Sequence, residues 1–436
     1  MDAPGSRQMT LGTSRRRIAK HLSRRTLLRG ASSAVAARVL AASGAVFVGQ
    51  HLHEPSIAAA AEAETAAVRL LVLGRDESPW PERVAAVAAR RPDIDLQVSH
   101  ASPSPSGLAE VIAGARRGGA FDLVAGLPGT QLARLARQGL VLALNAWLGG
   151  LDLVPAMERL GRHHQARIGL PLSGYPVYAL VNPQALERAG VAEPGATYRE
   201  WLDAARRLTD RERLAYGWGV VADVPEIETV AMSSGGRFWT GAHVAPSDGW
   251  QWYADLIHRE AVSPPPYAWD GLLNAHTALG AGEVAMTLRS AWVLDELPNG
   301  GPWHLVPLPA WDQKRRATPV AADYVAVAAD AQDIQAAVDV ASLLATEAWP
   351  APGARGLPAW RPALETFAET KGLPLETLTE AAAHWRRPSL EMPGAEIAQA
   401  RLLPAIDDVM SSGQPVEARM AALAEELQDL RQSAAG

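Results

Sequence analysis

His163 and His164 are the only adjacent histidine pair in the 436-residue chain. Neighbouring side chains on a helix point in different directions, so such a pair chelates a metal poorly. Cysteine is absent, which removes thiolate catalysis, iron–sulfur clusters, disulfides and Cys-based zinc sites. No H-E-x-x-H, Gly-x-Ser-x-Gly, P-loop or Gly-x-Gly-x-x-Gly occurs in the context its chemistry requires. Glycoside hydrolysis needs two facing carboxylates, and among 47 Asp and Glu residues no pair stands out. No catalytic residue, metal site or cofactor is therefore expected. What remains is recognition. The chain holds 14 Trp against 7 Tyr and 4 Phe. Flat indole faces stack on ligands, although core packing is the ordinary use of any one of them.

Charge and targeting narrow the setting. No acidic residue occurs between positions 3 and 53, and the same stretch contains Ser23-Arg24-Arg25-Thr26-Leu27-Leu28-Arg29. A twin-arginine pair followed by leucines marks a Tat export signal. A weakly apolar run, Val39 to Val48, follows, then the small-residue stretch Ser56-Ile57-Ala58-Ala59-Ala60-Ala61 suited to signal peptidase. Residues 1–61 are expected to be a removed Tat-type signal peptide, with the Tat translocase as a partner during export. A basic tail or an anchoring helix is the alternative, but the apolar run is short for a bilayer. Without cysteine no lipoprotein anchor forms, so the product is expected outside the cytoplasmic membrane, in the periplasm or extracellular medium, as a soluble monomer. The segment carries nine of the 41 Lys and Arg and two of the 47 Asp and Glu, leaving 32 basic against 45 acidic residues, a net of −13. So acidic a body argues against nucleic-acid binding and a basic membrane-docking face.

The elements that must position a site follow from the apolar pattern. Val68 to Leu73 reads as a buried strand, Trp80 to Arg91 as a helix, Ile94 to Val98 as a second strand, Leu108 to Arg117 as a helix, and Phe121 to Ala125 as a third strand. This alternation predicts a parallel sheet covered by helices. Ligands bind at the carboxyl ends of strands in such sheets, which makes the loops from Gly74 and Gly126 candidate ligand loops. From Thr197 the pattern turns helical, with Trp201, Leu202, Ala205 and Leu208 spaced by threes and fours. A short strand over Ala322 to Val327 precedes an amphipathic helix from Asp330 to Ala345. Two further helices are predicted over Ala395 to Met410 and Pro415 to Arg431.

An ordered series of motifs resembles one family. Phe121-Asp122-Leu123-Val124, with Leu132 to Val141 ending in Gln138-Gly139-Leu140, is similar to a strand and helix end of the sugar-binding extracellular solute-binding proteins, the maltose-binding protein class. Gly169-Leu170-Pro171-Leu172 through Tyr175 to Tyr178-Ala179-Leu180-Val181-Asn182 resembles the family's crossover strand, with Val181 in place of the usual tyrosine. Ala189-Gly190-Val191 and Thr197-Tyr198-Arg199-Glu200-Trp201 match its most specific stretch, with Tyr198 where tryptophan is usual. Gly280 to Trp292 resembles a segment whose final tryptophan lies in the ligand cleft of many members; Ser290 replaces its usual glycine. Met392-Pro393, Ile397 to Val409 and Ser412 to Glu417 resemble the closing helices.

The resemblance implies an α/β two-lobed periplasmic-binding-protein fold (type II), each lobe a sheet flanked by helices, joined by a hinge. The first lobe would hold residues 66–172 plus 318–365 and the second 173–312 plus 370–436, with the hinge near Pro171–Gly174 and Ala317–Ala322. It implies the substrate-binding subunit of an ABC transporter, partnered by permease subunits, and not an enzyme. A sugar has an apolar C–H face and a rim of hydroxyls, held by flat aromatics and planar polar groups. On those grounds Trp292 would stack on the ligand and Tyr175 would stack or hydrogen-bond from the crossover strand. Trp80, Asp76 and Glu77 follow the first strand. Gly126 to Thr130 would offer backbone amides and the Thr130 hydroxyl. Asp323 and Tyr324 follow the returning hinge segment. Trp360 stands where the family has a polar residue, and Arg401 lies on the late helix. A polyamine, phosphorylated polyol, metal chelate or peptide is the alternative ligand; for an anion Arg75, Arg289 and Arg401 could converge. An exported carbohydrate-active enzyme and a sensor that no longer transports are the other readings.

Overall fold

In the computed structural model the first apolar run forms a strand, Ala66–Leu73, whose Val68, Leu70 and Val72 are wholly buried. The structure describes residues 66–73, 80–102, 105–237, 247–265, 275–312, 315–347, 355–389 and 395–435, all within one compact unit, Ala63–Gly436. The basic N-terminal segment and the stretch with Asp76 and Glu77 lie outside the described residues.

Ala66–Leu73 pairs in parallel with Ile94–Ala101 on one side and Leu123–Pro128 on the other. Helices Trp80–Arg90 and Pro105–Arg117 make the crossovers, as the alternation predicts. Asp122 fastens the foot of this sheet. It is 1% exposed, takes both Nε and Nη2 of Arg69 at 2.9 and 2.8 Å, and accepts the backbone N–H of Gln332 at 3.0 Å. Burial opposes its ionisation, but the Arg69 guanidinium and these N–H groups hold its carboxyl below the usual range.

The parallel expectation fails at the fourth strand. Thr318–Val327 lies beside Leu123–Pro128 but antiparallel to it. Its chain arrives from the second lobe instead of through a helical crossover, so its direction is not set by the right-handed crossover rule. It is also ten residues long, because its first half continues towards the second lobe.

The long strand Leu170–Val181 joins the two lobes. Residues up to Pro176 pair with Thr318–Val327, whereas Val177 to Val181 pair with Val284–Ser290. The change of partner falls between Pro176 and Val177, where the Val177 N–H donates to Thr318 Oγ1 at 2.9 Å. The second-lobe sheet is completed by Tyr216–Gly219, parallel to Val284–Ser290, and by His304–Val306.

The second lobe is where the tryptophans are spent. Helix Tyr198–Leu208 starts in a capping box: Thr197 Oγ1 accepts the Glu200 N–H and Glu200 accepts the Thr197 N–H, a device worth about 1 kcal/mol. It buries Tyr198, Trp201, Leu202 and Ala205. Trp201, Trp218 and Trp252 follow one another edge to face with ring centroids 5.5 and 5.6 Å apart. Tyr198 meets Trp252 at 5.2 Å, and Trp250 is wholly buried in the same cluster. Each such ring pair adds roughly 0.5–1.5 kcal/mol beyond its area. The C-terminal helices Ala395–Ser412 and Val416–Ala435 close this core with Ile406, Val409, Met410, Met420 and Leu423. The first-lobe core is mainly aliphatic by contrast, with valine, leucine and alanine on both sheet faces and Trp80, Phe121 and Tyr324 as its buried rings.

His163 and His164 sit on a small hairpin, Arg162–His163 against Ala166–Arg167, and not on a helix. Their rings meet edge-on at 4.4 Å. Among the described residues no group of three or more His, Cys, Asp or Glu could hold a metal ion, and no helix is long and apolar enough to cross a membrane.

Candidate functional site

The two joining strands floor a pocket of about 400 Å³, within the range of small-molecule sites. Tyr175, Ala321, Ala322 and Asp323 come from the strands themselves. One wall is Pro128, Gly129 and Thr130, at the carboxyl end of Leu123–Pro128 and the start of helix Gly129–Arg137. That helix begins without a side-chain cap, so its first N–H groups are not taken by a side chain. The opposite wall is the start of helix Val224–Ser233, with Asp223, Val224, Pro225 and Glu228, together with Ser290, Trp292 and Pro388.

On the floor the Tyr175 hydroxyl donates to Asp323 Oδ2 at 2.6 Å. Burial drives the Tyr175 phenol well above its ordinary value, and the neighbouring Asp323 carboxylate adds to that. Burial likewise raises Asp323, opposed by the Tyr175 hydrogen bond and by the charge of Arg83. Arg83 is 4% exposed, its guanidinium 5.0 Å from the Trp80 ring centroid, and burial lowers its pKa to about 10. Gly356 fixes the Tyr175 ring from below. Its φ is +81°, and a Cβ there would stand 2.5 Å from Tyr175 Cε1, so only glycine fits.

Trp292 is half-buried and lines the pocket. The Arg289 guanidinium lies 5.1 Å from its ring centroid and His276 packs edge-on at 6.2 Å. Glu226, wholly buried, supports this arrangement from behind: its Oε1 accepts the Ser290 N–H at 2.8 Å and lies 3.6 Å from Arg289 Nη1. Burial lifts the Glu226 carboxyl to about 7 against the pull of Arg289. Ser290 returns a bond across the junction, its Oγ donating to the Tyr175 carbonyl at 3.3 Å. The departure from glycine thus adds a hydrogen bond at the point where the lobes meet.

Glu228 is 1% exposed. Its Oε1 accepts the Ser389 N–H at 2.7 Å, its Oε2 has no hydrogen-bond partner, and burial raises its pKa to about 7. Asp223 caps the same helix through the Val224 N–H at 2.7 Å. Helix and floor are tied together, since Ser233 Oγ donates to the Ala317 carbonyl at 3.2 Å.

Of the sequence-predicted residues, Trp292, Tyr175, Thr130 and Asp323 therefore line one pocket. Asp76 and Glu77 lie outside the described residues, and the rest do not line it. Gly126 has φ +73° and a Cβ there would sit 2.4 Å from the Leu73 carbonyl oxygen, so it serves the close approach of two strands. Tyr324 is wholly buried in the first-lobe core, because successive side chains of a strand point to opposite faces and Asp323 takes the pocket side. Trp360 precedes helix Arg361–Lys371 and packs on the first-lobe core. Trp80 is 5% exposed beneath Arg83. Arg401 is exposed on its helix, while its neighbour Leu403 reaches the pocket. Asp223 and Glu228 were not predicted. The signal available was Asp223-Val224-Pro225, a capping residue followed by proline at the start of a helix, but nothing in it pointed to a cleft.

The sequence profile of the bacterial extracellular solute-binding proteins matches residues 74–349, more than half of the chain. The chain belongs to that family. No curated protein matches this solute-binding protein in sequence. Among solved structures it is similar to the sugar-binding protein MalE from Xanthomonas citri, with TM-score 0.71 and 15% identity over 84% of this chain and 98% of that one. It is similar to Mycobacterium tuberculosis UspC, with TM-score 0.70 and 18% identity over 83% and 99% of the two chains. It is also similar to an ABC substrate-binding protein from Listeria monocytogenes in complex with cycloalternan, with TM-score 0.67 and 18% identity over 84% and 99%. The likeness confirms the two-lobed α/β solute-binding fold. The profile match ends before Trp360 and the closing-helix motifs.

Proposed function

We propose that this solute-binding protein captures a carbohydrate between its lobes and delivers it to the permease subunits of an ABC importer. The observation that carries the reading is the pairing of the Trp292 face with three carboxylates, Asp223, Glu228 and Asp323, around one pocket. An indole takes the C–H face of a pyranose and carboxylates take its hydroxyls. Capture needs no bond to be made or broken, so binding alone is the activity. The lobes, taken as 66–172 plus 318–365 and 173–312 plus 370–436, close on the ligand by bending where Leu170–Val181 and Thr318–Val327 pass between them. Residues 1–61 act as the Tat-type signal, and the processed chain works as a soluble monomer outside the cytoplasmic membrane, in the periplasm or medium. The twin-arginine motif and the absence of a cysteine for lipid attachment support that placement.

A thermal-shift screen of the processed protein against sugars, polyols and polyamines tests the reading. A ligand at a hundred times its Kd stabilises the fold by roughly 2.7 kcal/mol. A shift with at least one saccharide is expected; stabilisation by none of them removes the carbohydrate assignment.

A further inference from the structure

The two walls of the pocket offer a ligand opposite things. The Pro128–Thr130 wall presents the uncapped start of a nine-residue helix, a set of donors. The opposite wall presents acceptors. Asp223 and Glu228 both line it, and among the described residues no lysine or arginine lines the pocket. Asp323 on the floor is answered by the Tyr175 hydroxyl and by Arg83. Among the described residues the other two carboxylates have no such cation in contact. Asp223 is held by one backbone N–H; Glu228 takes the Ser389 N–H, the neighbouring Ser389 hydroxyl gives the strongest pull towards its charged form, and its Oε2 has no hydrogen-bond partner. Arg237 acts on Glu228 through space as the weakest of the influences upon it. A buried carboxylate oxygen without a donor is costly unless something brings one.

The acidic wall also refuses anions. A helix start ordinarily attracts phosphate, but here the Asp223 carboxylate takes the Val224 N–H and Pro225 has no N–H to give. Resting on the carbohydrate reading above, we propose that the ligand is an aminated sugar, its ammonium group set against Asp223 and Glu228 and its hydroxyl oxygens against the Pro128–Thr130 helix start. Trp292 covers the ring face between them. The near-neutral pKa of Glu228 fits this role, since an arriving ammonium would draw the carboxyl into its charged form.

Calorimetric titration of the processed protein with matched probes tests the assignment. The pairs are glucosamine against glucose, and the β-1,4 glucosamine disaccharide against cellobiose, with N-acetylglucosamine and glucose 6-phosphate as neutral-amide and anionic controls. The amine of a pair is expected to bind at least about tenfold more tightly than its hydroxyl counterpart, as charge-assisted hydrogen bonds to a buried carboxylate allow. Acetylation should erase that gain, and the phosphate should bind worst. Glu228→Gln keeps the shape of the side chain and should level amine and hydroxyl affinities; Asp223→Asn is the parallel test should Glu228→Gln not fold. Neutral sugars binding as tightly as their amines would overturn the inference while leaving the carbohydrate reading intact. Failure of every saccharide, neutral or aminated, would overturn both. An amine preference that survives both substitutions would overturn the assignment to this wall.

Discussion

The two walls of the cleft are built on different principles. The first-lobe wall is backbone, the start of a helix held by the sheet beneath it. The second-lobe wall is side chains, and each leans on another. Trp292 is backed by Arg289, Arg289 faces Glu226, and Glu226 also holds the Ser290 N–H. Glu226 and Glu228 stand two residues apart on one helix, both buried, both raised to about 7 by that burial, both anchored by one backbone N–H. One faces the interior of the wall and the other lines the pocket. A wall of backbone tolerates substitution, whereas a wall of coupled side chains fails when a supporting member is removed.

The largest effect should therefore come from a residue that touches no ligand. Glu226→Ala leaves the Ser290 N–H buried without its acceptor and takes a carboxylate from beside Arg289. A loss of about 3 kcal/mol or more in unfolding free energy is expected, read by urea denaturation at neutral pH. Unchanged stability would mean that the second wall is not coupled in the way its geometry implies.

Close behind is the effect of pH on the unliganded protein. Burial raises the folded-state value of Glu228 from 4.5 to about 7, so the folded chain holds a proton that the unfolded chain has released. The stability tied to that proton is full below about pH 4.5 and is lost as pH rises through about 7, by about 3 kcal/mol for a shift of this size. Glu228→Gln should flatten that part of the stability profile. Equal slopes in the two proteins between pH 5 and 7 would remove Glu228 as the titrating group.

Much of the frame could be read from the residues. The strands at Val68, Ile94 and Phe121 and the helices between them follow from local periodicity, and the helix after Thr197 from apolar residues spaced by threes and fours. Trp292 and Tyr175 were legible as pocket residues because they sit in motifs that resemble the family's, and Asp323 because it follows the returning segment. What could not be read depends on chain direction and on side-chain facing. The antiparallel return of Thr318–Val327 is decided by where the chain has been, not by its own pattern. Tyr324 follows Asp323 in sequence, yet the strand's alternation sends it into the core. Glu228 looks like any helical glutamate in the sequence; only packing against the 388–389 segment makes it a buried acceptor.

Trp292→Ala probes the second wall at its ligand face. Losing a central aromatic anchor costs on the order of 2 kcal/mol in binding, roughly thirtyfold in Kd, for whichever saccharide the screen identifies. Affinity that stays within a few-fold of the parent would take Trp292 out of the stacking role.

The smallest effect should come from the first wall, and it decides whether the contrast holds. Thr130 lines the pocket at the second position of helix Gly129–Arg137. Thr130→Ala removes its hydroxyl and leaves the backbone N–H in place, with alanine at least as good a helix former as threonine. If the wall acts through its backbone, saccharide affinity should fall by less than about 1 kcal/mol, the net worth of one hydrogen bond at most, and the melting temperature should be unchanged or slightly higher. A loss as large as that of Trp292→Ala would show that the hydroxyl, not the helix start, receives the ligand, and both walls would then work through side chains.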